Sequence, residues 1–195
     1  MGARAKEQPA LARTATAGAV LSSIATIVEL AVVLQATNRS ILWMIRFSLI
    51  AACIATIAYG AIFTFRALKH QAEVSAPPGS AFDLRVALIL ATTVTGVTFA
   101  SAALNAWLGA RGVLVATATA GFGDGHSAAV SAASLAASGK LPAQQAIIPI
   151  FAGVTANTVT KAIAAFISGR TGFAARVVPG LALMIAAFWI GFLFE

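Results

Sequence analysis

Four ionisable residues of this 195-residue chain fall inside apolar stretches, away from their ends: Glu29, Asp124, His126 and Lys161. A carboxylate can hold a proton or a cation, and an imidazole titrates near neutral pH or ligates a metal. Asp124 and His126 stand in the string GFGDGHSAAVSAASLAASG, where Gly121, Gly123 and Gly125 surround the aspartate. Each glycine weakens a helix by about 1 kcal/mol relative to alanine. The spacing therefore predicts a discontinuous helix, with freed backbone groups and a half-helix N-terminus beside Asp124. Asp124 and His126 are the candidate metal or proton ligands. Asn157 and Lys161 are four residues apart and share a helical face. Lys161 either snorkels toward the interface or takes an acid; Asp124 is the natural partner and Glu29 the rival. Ser127, Ser131, Ser134 and Ser138 recur at spacings of four, three and four, one stripe that reads as a tight helix contact or as a polar lining.

Enzymatic readings of these residues fail on their own chemistry. Gly121-Phe122-Gly123-Asp124 fits the GxGD pattern of intramembrane aspartyl proteases, but that chemistry needs a second aspartate sharing a proton with the first. The other aspartate, Asp83, falls at a predicted helix entrance. His126 and Ser127 are adjacent, about 100° apart on a helix, and lack the GxSxG turn of a serine nucleophile. A phosphate loop follows a strand and opens to solvent, which a mid-span glycine cluster does not. With His70 and His126 as the two histidines, no zinc-spaced ligand set forms. No cofactor is expected and the chain reads as a non-enzyme.

The elements that must position these groups follow from composition. Hydrophobic residues make up 59% of the chain and charged residues 10%, against about 25% charged in a soluble domain. That is too little charge to cover a globule, and it indicates a membrane protein with the lipid bilayer as its solvent. Six apolar segments are marked, at about 14–36, 41–65, 84–108, 112–138, 142–168 and 173–194, each near the roughly 20 residues a spanning helix needs. All are read as helices, because an open strand cannot satisfy its backbone in lipid. The fold class is thus all-α: a polytopic bundle of about six transmembrane helices, forming a single domain over 1–195. Its one long polar linker, at about 69–83, contains Pro77-Pro78-Gly79. The first segment is longer than the 7–15 residues of a typical signal h-region and is read as a retained span. Cys53, the single cysteine, lies in an apolar run and reads as a small packed residue.

The net charge of +7 is spread over helix ends rather than gathered on one face, as topogenic charges are; nucleic acid is not expected as a partner. With six crossings, Arg4, Lys6, Arg13, Arg66, Lys69, Arg85 and Lys140 share one side, against Arg39, Arg46, Arg111, Arg170 and Arg176. Seven against five places both termini in the cytoplasm of an inner-membrane protein. The string TATAG at Thr14–Gly18 recurs at Thr117–Gly121. Each copy opens a set of three segments, which suggests a 3+3 inverted repeat of the kind found in secondary transporters.

GFGDGHSAAVSAASLAASG, AGVTANTVTKAIAAFISG and RVVPGLALM together resemble the uncharacterised C-terminal membrane domain of MgtC/SapB-type bacterial proteins. Gly121, Asp124, Ser131, Asn157, Lys161 and Pro179-Gly180-Leu181 match the pattern; His126 replaces its second acid and Ser127 the following alanine. The resemblance implies a membrane domain usually fused behind an MgtC-like domain, and hence a separate MgtC-like partner chain here; a homo-oligomer is also a candidate assembly. Two functions follow as expectations. One is transport or sensing of a small cation or proton-coupled solute through Glu29, Asp124, His126, Ser127, Ser131, Asn157 and Lys161. The other is a regulatory or scaffolding role in which the same polar groups serve as glue.

Overall fold

The computed structural model describes residues 12–68, 106–168 and 171–195, with scattered positions between 92 and 104. Regular structure among the described residues is helical throughout: α1 (Ala12–Thr37), α2 (Arg39–Met44), α3 (Arg46–Leu68), α4 (Ala110–Gly121), α5 (Gly125–Ala137), α6 (Ala143–Ser168) and α7 (Thr171–Gly191), closed by a 3-10 turn at Phe192–Phe194. The predicted linker at 69–83 and most of the predicted third segment lie outside the described residues. Two helical stretches, Ala143–Ile167 and Gly172–Phe194, are long and apolar enough to cross a membrane, with mean hydropathies of 1.5 and 2.3; Ser22–Thr37 and Arg46–Ile62 are shorter apolar helices.

The boundaries have local causes. The chain leaves α1 at Asn38, whose side chain accepts from the Ile41 N–H and caps α2. The segment expected at 41–65 is therefore a short helix and then a longer one. Helix α5 ends in a Schellman motif: Lys140 N–H bonds to Leu135 O at 3.0 Å and Gly139 N–H to Ala136 O at 3.1 Å. Gly139 holds φ +72° there, a left-handed conformation that glycine adopts without penalty.

Helices α1 and α7 run one way and α3 and α6 the other. Gly191 at the end of α7 lies against Ser48 at the start of α3, and Gly180 lies against Tyr59 further along α3. Glu195 reaches the same end of α3, accepting from the N–H groups of Phe47 and Ser48. Thr26 in α1 meets Lys161 in the second half of α6, while Ser40, Trp43 and Met44 of α2, which follows the end of α1, line one groove with Gln144 and Ile147 near the start of α6. Phe151 of α6 stacks on Phe188 of α7 and meets Trp189 edge-on. The main core gathers Leu30, Leu34, Ile41, Ile45, Ile150, Phe151 and Phe188 around this end.

The segment expected to cross once at 112–138 does not run straight. An uninterrupted helix would separate residues 117 and 128 by about 16 Å. Instead, a methyl placed on Gly153 of α6 would lie 2.6 Å from Ala128 Cβ and 3.3 Å from Thr117 O. Both residues flank one point on α6, so α4 and α5 form a hairpin with its turn at Phe122-Gly123. Each arm is about 18–20 Å long for 12 and 13 residues, short of the ~30 Å hydrocarbon thickness. The sequence-based expectation is thereby corrected in three ways. The segment is a helical hairpin, not one broken span. Among the described helices, α1 begins and α7 finishes at opposite ends of the bundle, whereas six crossings would bring both ends together. The two TATAG strings also take unlike places, near the start of α1 and at the end of α4, so they do not mark an inverted repeat.

Candidate functional site

Helix α5 is short, small-residue and buried on nearly every side: Gly125, Ser127, Ala128, Ala129, Ser131, Ala132, Ala133 and Leu135 are all buried. A helix enclosed all round sits inside a bundle rather than on its surface; α5 packs against α1, α4 and α6. Close approach to α6 is what the glycines supply. A methyl on Gly121 would lie 2.3 Å from Gly153 O, and one on Gly125 would lie 3.0 Å from Asn157 Cβ. Backbone therefore rests on backbone at the first point, and Asn157 occupies the space a side chain at 125 would need at the second. The turn is tied to α6 by Thr160, whose hydroxyl donates to Phe122 O at 2.9 Å.

Asp124 is the N-cap of α5, with extended backbone. Its Oδ1 accepts from His126 N–H at 3.1 Å and its Oδ2 from Ser127 N–H at 3.0 Å. The Ser127 hydroxyl donates to the same Oδ2. A carboxylate there also meets the positive end of the helix dipole. Both oxygens are thus engaged within the first turn of α5.

His126 joins α5 to α1. Its Nδ1 lies 3.1 Å from Asp124 Oδ1. Its Nε2 lies 3.3 Å from Thr26 O and 3.3 Å from Glu29 Oε2. Each ring nitrogen faces acceptors. A neutral imidazole has one N–H and satisfies one side at a time; an imidazolium satisfies both. Side-chain exposure falls from 65% at Glu29 to 24% at His126 and 22% at Asp124. Lys161 does not close on either expected acid: its Nζ donates to Thr26 Oγ1 at 2.8 Å, and among the described residues no salt bridge joins it to a carboxylate.

The residues singled out in the sequence thus come together unevenly. Glu29, Asp124, His126 and Ser127 form one connected chain of contacts. Lys161 reaches it through Thr26, and Asn157 lies beside it over Gly125. Ser131 is buried one turn further along α5, Ser134 is half-buried and Ser138 is exposed, so the serine stripe runs from the turn toward the open end of the hairpin. Thr26 and Thr160 were missed. Thr26 accepts from Lys161, donates to Ser22 O at 3.0 Å and offers its carbonyl to His126; its place one turn before Glu29 was the available signal. Among the described residues no group of three or more His, Cys, Asp and Glu side chains is arranged to hold a metal ion.

No curated protein and no solved structure matches the chain. The resemblance drawn from the Gly121–Ser131 and Asn157–Lys161 strings is met only at a coarser level, by a family model whose description names no MgtC/SapB protein. That model, DUF4010, a domain of unknown function, matches residues 1–169, and the chain belongs to this family.

Proposed function

We propose that this is an integral membrane protein that moves a small cation or a proton-coupled solute across the inner membrane through the polar site at the hairpin turn. The observation that carries the reading is the turn itself. A half-length hairpin brings Asp124 and His126 to Asn157 and Thr160, close to the middle of α6, the depth at which transporters gather discontinuous helices and charged groups. Charge at that depth costs about 2.5–3.5 kcal/mol per residue on insertion scales, so it is rarely kept without a use.

The fold also supports a revised topology. In this reading α1, α3, the apolar segment at 84–108, α6 and α7 each cross, and α4–α5 enters and leaves by one side. Arg4, Lys6, Arg13, Arg66, Lys69, Arg85, Arg170 and Arg176 then share the side where α1 begins, against Arg39, Arg46, Arg111 and Lys140. Eight against four is a firmer bias than the six-crossing count gave, and it puts the start of α1 in the cytoplasm and the end of α7 outside.

The test is ion-driven flux in vesicles holding the purified protein. Asp124→Asn should abolish flux while the folded protein survives, since asparagine caps a helix about as well as aspartate. Normal flux from that variant would sink the reading. Thermal stability against a panel of cations and pH values gives the companion result: a ligand that binds the folded state raises its stability, and Asp124→Asn should lose that shift. A variant destabilised under every condition, with no ligand shift in the parent, would instead favour a regulatory role beside a separate MgtC-like chain.

A further inference from the structure

We infer that the ion handled at this site is the proton, passed along Glu29, His126 and Asp124; this rests on the transport reading above. The first argument is geometric. His126 stands between two carboxylates that come from different helices, with Nε2 3.3 Å from Glu29 Oε2 and Nδ1 3.1 Å from Asp124 Oδ1. An imidazole so placed takes a proton on one nitrogen and gives one up from the other. The step balances: the O–H of a protonated Glu29 breaks as an Nε2–H forms, and the Nδ1–H breaks as an O–H forms on Asp124. One proton has moved from α1 to α5, and the ring is neutral before and after. Flipping of the ring resets the tautomer for the next proton.

The second argument is charge. The ionisable groups facing the site are Glu29 from α1, Asp124 and His126 from α5 and Lys161 from α6; α4 brings none near the turn, since Arg111 stands at its far end. Two carboxylates and one ammonium sum to one negative charge, so a single added proton makes the cluster neutral. Lys161, held by Thr26 Oγ1 at 2.8 Å, brings an ammonium that a metal cation entering the cluster would have to face. Both Asp124 oxygens already accept hydrogen bonds within α5, so neither is free to wrap a metal ion.

The third is access. Glu29 is 65% exposed, His126 24% and Asp124 22%, while Ser127 is fully buried. The groups thus run from the outer face of α1 to the inside of the hairpin, in the order in which the proton would pass. Ser131, Ser134 and Ser138 continue that line along α5 to its exposed end.

The experiment uses the full chain in sealed vesicles with a trapped pH dye, a potassium-valinomycin potential, and tracer sodium and rubidium outside. The expected result is proton flux indifferent to sodium, reduced at least tenfold in Glu29→Gln and in His126→Gln. Glu29 is exposed, so its variant should fold even if the histidine variant does not, and it decides the matter alone. Proton flux that persists in Glu29→Gln overturns the route. A silent dye while sodium or rubidium moves overturns the proton assignment and leaves the transport reading standing. A silent dye with no tracer movement, from protein that is folded by circular dichroism, overturns both.

Discussion

Two helix seams in this protein are closed by glycine, and their polar groups end differently. Along α3 and α7, Gly180 faces the ring of Tyr59 and Gly191 faces the backbone at Ser48. The polar group there ends on backbone: the Tyr59 hydroxyl donates to Arg176 O at 2.7 Å. Along the hairpin and α6, Gly121 faces the backbone of Gly153 and Gly125 faces Asn157. There Thr160 also ends on backbone, at Phe122 O, but on the side of the hairpin that faces α1 the polar groups pass from one side chain to the next, from Ser127 to Asp124 to His126 to Glu29. In the first seam the Tyr59 hydroxyl thus ends on a carbonyl. The second keeps titratable groups in mutual contact, where changing one proton changes every neighbour. Close packing is common to both seams; the connected titratable side chains lie beside the second.

The sharpest way to break this comparison is to add one methyl to each seam. At Gly121 the methyl meets carbonyl oxygen and Cα atoms of Gly153 at 2.3 and 2.7 Å, which only helix separation can relieve. At Gly180 it meets the edge of a tyrosine ring at 2.7 Å, and a ring on a side chain can turn aside. Overpacking costs about 1–3 kcal/mol, so Gly121→Ala should lose about 3 kcal/mol and Gly180→Ala about 1 kcal/mol. Denaturation of purified protein in detergent measures both. Equal losses would mean that the two seams are equally rigid.

Asp124 gives the next largest effect. As an N-cap it is worth about 0.5–2 kcal/mol over alanine, while serine caps nearly as well. Asp124→Ala should lose about 1 kcal/mol and Asp124→Ser only a few tenths, yet both should be dead in flux. A serine variant that transports normally would reduce Asp124 to a cap and make the hairpin seam structural like the other. Tyr59→Phe tests the opposite side. Removing its bond to Arg176 O should cost about 0.5–1.5 kcal/mol and leave flux untouched; a flux defect there would erase the distinction drawn between the seams.

How far the sequence carried this can be read from particular residues. The apolar runs marked α1, α3, α6 and α7 to within a few positions, because helix length and hydropathy are local properties. Gly121, Gly123 and Gly125 marked the break for the same reason. They did not reveal the fold-back. A run of 27 residues has the same hydropathy whether it crosses or returns, and what decides is the backbone contact between Gly121 and Gly153, thirty-two positions apart. The same gap explains Asp124. It was read as free for Lys161 or a cation, although an aspartate directly before a helical run is an ordinary start signal. Once the cap takes its oxygens, Lys161 falls to Thr26, a residue that no charge pattern points to. His126 lies beside Asp124 because the two are neighbours in sequence, but its position between two carboxylates depends on α1 lying beside α5, which is a tertiary fact.

Gly172 supplies the smallest effect and the control for the glycine argument. It lies in the first turn of α7, and a methyl there would meet nothing within 4 Å. Glycine costs about 0.5–1 kcal/mol against alanine inside a helix, because it has more freedom to lose on folding. With no neighbour to offend, Gly172→Ala should stabilise the protein by at most about 0.5 kcal/mol, near the lower end because the first turn is only partly constrained. The same substitution thus carries opposite signs at positions 172 and 121. A loss at Gly172 as large as that at Gly121 would mean that glycine matters here through backbone freedom in general. A small gain would mean that it matters through the atom opposite, and that the hairpin stands where it does because Gly121 and Gly153 leave room for backbone to touch backbone.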